Sequence, residues 1–133
     1  MGIFSGKRPA NLGYATGKFA RPSWKPNTVS STVEQSDKHY IEPLPITGSA
    51  TVAWKRLHAI IVSSKGAAIV TDGEAYIYAE FSSGLLGFVD DVEFAIDAKA
   101  GVIHARSGSR LGIDDLGVNR KRIERIRQAL LIG

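Results

Sequence analysis

The chain has 133 residues, and its 17 basic and 13 acidic side chains give a net charge of +4. This length is sufficient for one domain with its own apolar core. The absence of cysteine excludes disulfides, thiolate catalysis and cysteine-ligated zinc. No apolar run approaches the ~20 residues that span a bilayer, and the sequence shows no secretory signature. We therefore expect a cytoplasmic protein without a membrane span.

The charges are distributed unevenly along the chain. Residues 1–41 carry six basic and two acidic side chains, residues 42–98 carry three and eight, and residues 99–133 carry eight and three, so the three parts have net charges of +4, −5 and +5. A uniformly basic nucleic-acid binder would not have an acidic middle. The pattern predicts internal pairing between the middle and the C-terminal part, and it argues against nucleic acid as a partner.

Glycine and proline interrupt every candidate period in the first part of the chain. We predict an extended arm over residues 1–38, followed by a single domain over residues 39–133. Phe4, Leu12, Tyr14, Phe19 and Trp24 give the arm apolar anchors, which favour packing across the domain. An arm that binds a partner is the alternative.

The regular elements begin at His39. A short edge strand is predicted in HYIEPLPI, followed by an amphipathic helix that Thr47 or Ser49 caps and Gly66 ends. Asp72-Gly73 predicts a hairpin that places Thr71 opposite Glu74. A second hairpin joins GFVDDVEFAID to GVIHARS, and a helix closes the chain.

These elements predict an α+β fold in the order β-α-β-β-β-β-α. Consecutive hairpins make an antiparallel sheet, curved and of about five strands, and both helices cover one face because each has a single apolar stripe. In the last helix we expect a buried stripe of Leu116, Ile123, Ile126 and Leu130. Alternation places Phe88, Val92, Phe94 and Ile96 on the helix-covered face together with Asp90.

The opposite face of the sheet carries the candidate ligand-binding residues. Alternation places Asp91 and Glu93 there, and the second hairpin places Glu93 nearly opposite Arg106. This surface is either a ligand site or a solvated sheet face. With the arginines nearby, the candidate ligand-binding residues are Tyr76, Tyr78, Asp91, Glu93, His104, Arg106, Arg110 and Arg122.

A second group of residues is assigned a structural role. Arg122 flanks the apolar stripe and can reach inward to Asp90. Asn119 falls inside the stripe, where a buried amide must be hydrogen-bonded. It either ties the Gly112-to-Gly117 turn to the sheet or caps a helix that starts at Arg120. The residues with a predicted structural role are Asp90, Ser109, Asp115 and Asn119.

Several segments together resemble the domain of unknown function 1499 family in its short, stand-alone bacterial form. They are GKRP, NLG, PNTVSS, IEPL, GFVDDVEF and RSGSRLGIDDLGVNRKRIERI, and they extend over nearly the whole chain. The family has no agreed activity, so the resemblance implies motif positions and no chemistry. It often has cysteine within the stretch that reads PNTVSS here, whereas this chain has Thr28, so a redox or disulfide role is unsupported.

Three functions fit the pattern. The first is a non-enzymatic binding module for an anionic small molecule or an acidic protein segment, because arginine suits bidentate recognition of carboxylate or phosphate. The second is a structural or assembly subunit. The third is a metal-dependent, hydrolase-like enzyme that would use Asp90, Asp91 and Glu93 together with Ser107 or Ser109. Alternation separates Asp90 from the other two carboxylates, and neither serine lies in a nucleophile elbow. We therefore predict no catalytic residue, no metal site and no cofactor.

Overall fold

Two helices and six strands make up the part of the chain that the computed structural model describes, residues 4–84 and 86–132. The helices are α1 (Ala50–Ser63) and α2 (Val118–Ile132). The strands are β1 (Thr28–Ser30), β2 (Leu44–Pro45), β3 (Ala67–Asp72), β4 (Tyr76–Ser82), β5 (Val89–Asp97) and β6 (Val102–Ser109).

The sheet is antiparallel, with the order β1-β6-β5-β4-β3, and β2 pairs with β6 beside β1. The predicted α+β fold with two helices is confirmed. The predicted register of the second hairpin is also confirmed, because Glu93 lies opposite Arg106. The additional strand, β1, lies within the segment predicted as an arm, where three residues are too few to show an alternating pattern.

The predicted register of the first hairpin is wrong. Thr71 lies opposite Tyr78 instead of Glu74, and the backbone N–H of Gly73 donates to the carbonyl of Tyr76 at 2.9 Å. A two-residue turn on Asp72-Gly73 needs positive φ at Asp72, and in the type I′ form at Gly73 as well, but neither residue adopts it. The turn is displaced by two residues, an even number, so Tyr78 keeps its predicted face.

The apolar core lies between the helices and the sheet. α1 buries Ala53, Leu57 and Ile61, and α2 buries Ile123, Ile126 and Leu130. They pack against Ile77, Phe81, Phe94 and Ile103 of the sheet. Each fully buried Leu or Ile contributes about 1.5–3 kcal/mol. Ser49 caps α1 by accepting the N–H of Val52 at 3.3 Å.

Two residues predicted to be buried are exposed. Leu116 lies ahead of α2 and is 82% exposed, with a φ of 54°. The helix begins only at Val118, so the apolar stripe does not extend back to Leu116. Phe88 precedes β5 and is also exposed. Neither helix in the described part of the chain has the length and apolar character needed to cross a membrane.

Candidate binding groove and the covered outer face

The sheet face away from the helices, here called the outer face, carries a hydrogen-bonded polar network. Tyr76 Oη donates to Glu93 Oε1 at 2.5 Å, and Tyr78 Oη donates to Asp91 Oδ1 at 2.5 Å. Arg110 forms a bidentate pair with Asp91, from Nε at 2.9 Å and from Nη2 at 2.8 Å. The carboxylates of β5 therefore already have partners within the chain.

The N-terminal segment covers this network. The N–H of Gly13 donates to Glu93 Oε1 at 2.7 Å, and Arg106 Nε donates to the carbonyl of Ala20 at 2.9 Å. Tyr14 packs on His104 with ring centroids 6.2 Å apart. As a result, Glu93 is 0% exposed.

Burial shifts the ionisation of the central pair. Burial raises the pKa of Glu93, although the hydroxyl of Tyr76, the N–H of Gly13 and the charge of Arg106 act against it. Burial likewise lowers the pKa of Arg106, against the attraction of Glu93. Arg106 Nη1 stays 3.9 Å from Glu93 Oε2, and no atom in the described part of the chain hydrogen-bonds to that oxygen. The pair is therefore only partly compensated for leaving water.

The hydroxyl groups of Tyr76 and Tyr78 act as hydrogen-bond donors in the network. Burial raises the pKa of Tyr76 and of Tyr78, and the hydrogen bonds to Glu93 and Asp91 raise both pKa values further. Both phenols consequently remain protonated at neutral pH.

His104 lies on the same face. Burial lowers the pKa of His104, whose Nδ1 shares a hydrogen bond with the Ser31 hydroxyl at 2.8 Å.

The structure thus brings seven of the eight candidate ligand-binding residues to one face. They are Tyr76, Tyr78, Asp91, Glu93, His104, Arg106 and Arg110. Arg122 lies on the helix-covered side instead, where its Nη2 donates to Asp90 Oδ2 at 2.7 Å and its guanidinium lies 4.9 Å from the ring centre of Phe81. Arginines of the C-terminal part do pair with carboxylates of the middle, which confirms the predicted internal pairing.

Asn119 is the centre of a second polar network, on the helix-covered side. The two hydrogens of its Nδ2 are shared among three acceptors: Ser109 Oγ at 2.9 Å, Asp115 Oδ2 at 2.7 Å and the carbonyl of Asn27 at 3.1 Å. Its Oδ1 accepts from Ser107 Oγ at 2.6 Å and from Arg122 at 2.8 Å. Of the two predicted roles, the tie between turn and sheet is therefore correct, and the capping role is wrong because Asn119 lies inside α2.

Asp115 holds the start of α2. Its carboxylate accepts the N–H groups of Gly117 and Asn119, each at 2.9 Å. Burial acts to raise the pKa of Asp115, but the donors from Asn119 and Gly117 outweigh it and the pKa falls below its usual value. An ionised carboxylate at this position also complements the α2 dipole.

A cavity of about 370 Å³ lies beside this second network, between the start of β5 and the start of α2. We call it the α2 groove. Its apolar lining includes Phe88, Val89, Leu111, Leu116 and Val118. Its polar lining includes Asp90, Ser109, Asp115 and Arg122. An apolar wall with a few placed polar groups and a volume of about 300–1,000 Å³ is typical of ligand sites.

A smaller cavity of about 200 Å³ shares Asp114 and Asp115 with the α2 groove, and its other lining residues include Lys38, His39 and Arg120. It falls below the usual size of a ligand site. Within residues 4–84 and 86–132, no three His, Asp or Glu side chains come close enough together to hold a metal ion.

The sequence interpretation did not assign Phe88, Leu111, Leu116 or Val118 to a site. Two of them, Phe88 and Leu116, were expected in the core. A usable signal was present nonetheless, since Leu116 stands between two aspartates and Gly117 in a turn, where an apolar side chain has no helix to face.

The fold and its two networks define a small α+β domain with two helices on an antiparallel sheet. The chain belongs to the family described as "Protein of unknown function (DUF1499)", whose model matches residues 20–130. The predicted resemblance is thereby confirmed. Neither a comparison with curated proteins nor one with solved structures gave a match.

Proposed function

We propose that this protein is a non-enzymatic binding module and that the α2 groove is its binding surface. The observation that carries the proposal is Leu116, an exposed apolar side chain held in a left-handed backbone conformation at the mouth of the groove.

The backbone conformation of Leu116 lowers the stability of the fold, and its exposed side chain contributes little burial to offset this loss. A left-handed conformation costs about 1–2 kcal/mol for a residue with a Cβ. Side chains hold the turn in place, because Asp114 accepts the N–H of Leu116 at 2.9 Å and Asp115 accepts that of Gly117. The side chain is nevertheless almost fully exposed and buries little apolar surface. Strain kept at an exposed residue is typical of functional positions.

The apolar surface extends beyond the cavity. Of the thirteen exposed large apolar side chains among the described residues, four line the groove, Phe4 stacks on one of these four, and Leu86 and Ile113 lie within two residues of a lining residue along the chain. The ring of Phe4, for example, stacks on Phe88 with centroids 4.9 Å apart. Clustered exposed apolar residues of this kind mark interaction surfaces. The seven are Phe4, Leu86, Phe88, Leu111, Ile113, Leu116 and Val118.

The outer face is a weaker candidate for an anionic ligand. Arg110 is already bound to Asp91 and Glu80, and Arg106 donates to Ala20 under the N-terminal segment. An anion would have to displace these partners and lift that segment. The hydrolase alternative also has little support, because Asp90 faces the helices while Asp91 and Glu93 face away, and the Ser107 hydroxyl is buried against Asn119.

The proposal is tested with Nile red, an uncharged dye that fluoresces on apolar surfaces. We compare the wild type with Leu116→Ser and, as a matched control, with Leu131→Ser, which changes an exposed leucine at the far end of α2. Covering a leucine side chain is worth about 1.5–3 kcal/mol, so Leu116→Ser is expected to weaken dye binding about tenfold. The control is expected to bind as the wild type does. Equal binding by both variants contradicts the proposal.

A further inference from the structure

The lining of the α2 groove carries more carboxylates than guanidinium groups, so it does not suit the anionic ligand that the sequence suggested. We infer that its occupant is a segment of a partner polypeptide in which lysine or arginine stands beside apolar residues. This inference rests on the proposed function, and it is argued from the charge of the groove, from the shape of its rim and from the apolar surface around it.

The charge at the groove is negative. Three carboxylates, from Asp90, Asp114 and Asp115, line it against the single guanidinium of Arg122. Asp90 and Arg122 neutralise each other through the 2.7 Å ion pair. Asp115 is held by N–H groups at the start of α2. Asp114 remains exposed at the mouth, where its charge is available to a cationic group.

Two nearby cations, Lys38 and Arg120, line the smaller cavity, which Asp114 also borders, but neither of them lines the α2 groove. Arg120 is bound within the fold. Its guanidinium donates to the carbonyls of Tyr40 and Lys38, at 2.9 and 3.2 Å. The mouth of the α2 groove therefore favours a positive group and disfavours a carboxylate or phosphate.

The rim favours a polypeptide over a small molecule. Leu116 lines the groove and is 82% exposed, so a ligand must cover a large, protruding side chain to remove it from water. Exposed apolar surface also continues outward from Phe88 to Phe4, whose ring stacks on it. A chain crossing the groove would cover both the protruding leucine and this outer surface.

The test is a selection from a library of random short peptides displayed on phage, using the full chain as bait and Leu116→Ser for counter-selection. We expect the enriched peptides to carry Lys or Arg next to Leu, Ile or Phe. In the best binder, exchanging its basic residue for Glu should weaken the affinity about tenfold. Added salt should weaken the wild-type interaction as well.

The charge contribution is assigned with two variants of the protein. Asp114→Asn retains an oxygen that can accept the N–H of Leu116, so the turn is kept while the charge is removed. It should lower the affinity for the basic peptide about two- to fivefold, as for an exposed ion pair. Glu74→Gln removes an exposed carboxylate in the turn between β3 and β4, at the other end of the sheet, and should change nothing.

The outcomes separate the inference from the proposed function. Enrichment of acidic peptides, or equal affinity after the exchange for Glu, overturns the inference about charge. No enrichment over Leu116→Ser, while Nile red still distinguishes that variant from the wild type, shows that the occupant is not a polypeptide and leaves the groove as a binding site. If neither the library nor the dye distinguishes the two proteins, the proposed function fails too.

Discussion

Replacing Asn119 with alanine is the most direct perturbation of the network that joins α2 to the sheet. Asn119 is 0% exposed and takes part in five side-chain hydrogen bonds. The variant removes all five and leaves the hydroxyl of Ser109 without the amide that donates to it.

The expected loss follows from these contacts. A hydrogen bond contributes about 0.5–1.5 kcal/mol net, so five would give about 2.5–7.5 kcal/mol, and the lower half of this range applies because two amide hydrogens serve three acceptors. Some partners keep other bonds, since Ser107 Oγ still accepts from Arg122 at 3.1 Å and Asp115 still accepts the backbone N–H of residue 119. Alanine also has a higher helix propensity than asparagine, by roughly 0.7 kcal/mol at most. We therefore expect Asn119→Ala to lower the free energy of unfolding by about 3 kcal/mol, a large part of the 5–15 kcal/mol typical of a domain.

The assay is equilibrium unfolding in urea, followed by the fluorescence of Trp54, which is half-buried and donates to the carbonyl of Gly73. With an m-value of about 2 kcal/mol per molar, the midpoint should fall by about 1.5 M. Asn11→Ala is the matched control, because Asn11 is exposed and its loss should stay within about 0.5 kcal/mol. Equal midpoints for the two variants would refute the role assigned to Asn119.

Three further changes test separate features of the fold. Gly66→Ala should be strongly destabilising, because Gly66 has a φ of +79° and an added Cβ would overlap the carbonyl oxygen of Ser82. Gly48 also has a positive φ but has open space around it, so Gly48→Ala should cost only about 1–2 kcal/mol. Equal melting temperatures of the two variants would contradict this difference. Leu116→Gly should raise the free energy of unfolding by about 1 kcal/mol by relieving its φ of 54°, and a loss in urea unfolding would show that the leucine is stabilising. Folding lowers the pKa of Asp115, so its carboxylate stabilises the fold at pH values above the unfolded pKa, and this contribution is lost as the pH falls through the folded pKa. Asp115→Asn should therefore lose less stability than the wild type between neutral and acidic pH. The same loss in both proteins would argue against an ionised Asp115 that stabilises the start of α2.

The alternation of apolar and polar residues correctly predicted on which face of the sheet the residues of β5 lie, because this property depends only on neighbours along the chain. In β5, Asp90 and Asp91 fall on opposite faces, and the structure pairs the first with Arg122 and the second with Arg110. Period-two alternation is sufficient for such assignments, because the face of a residue is determined once its strand is known. The position of the second hairpin then determined that Glu93 meets Arg106.

Other features depend on contacts between distant parts of the chain. The outer face could be recognised as polar, but no local pattern indicates that Gly13 and Ala20 would bond to Glu93 and Arg106 across some 80 residues. Whether a polar face is solvated or covered is decided by packing, and a segment rich in glycine and proline has no period from which its path could be read.

The candidate groove was missed for a related reason. Phe88 and Leu116 are apolar residues next to regular elements, and the alternating and helical periods were extended over them as if those elements continued. Both elements begin one or two residues later, at Val89 and Val118. At the ends of helices and strands an apolar residue is often exposed. Phe88 and Leu116 are two such residues, and both belong to the exposed apolar surface of the groove.

The measurement that tests the central claim most directly is a two-dimensional amide NMR titration of the full chain with Nile red. If the α2 groove is the binding surface, the largest shifts will be those of the amides of Leu111, Gly112, Gly117 and Val118. Largest shifts at Gly13, Tyr76 and Glu93 would place binding on the outer face instead and would contradict the account.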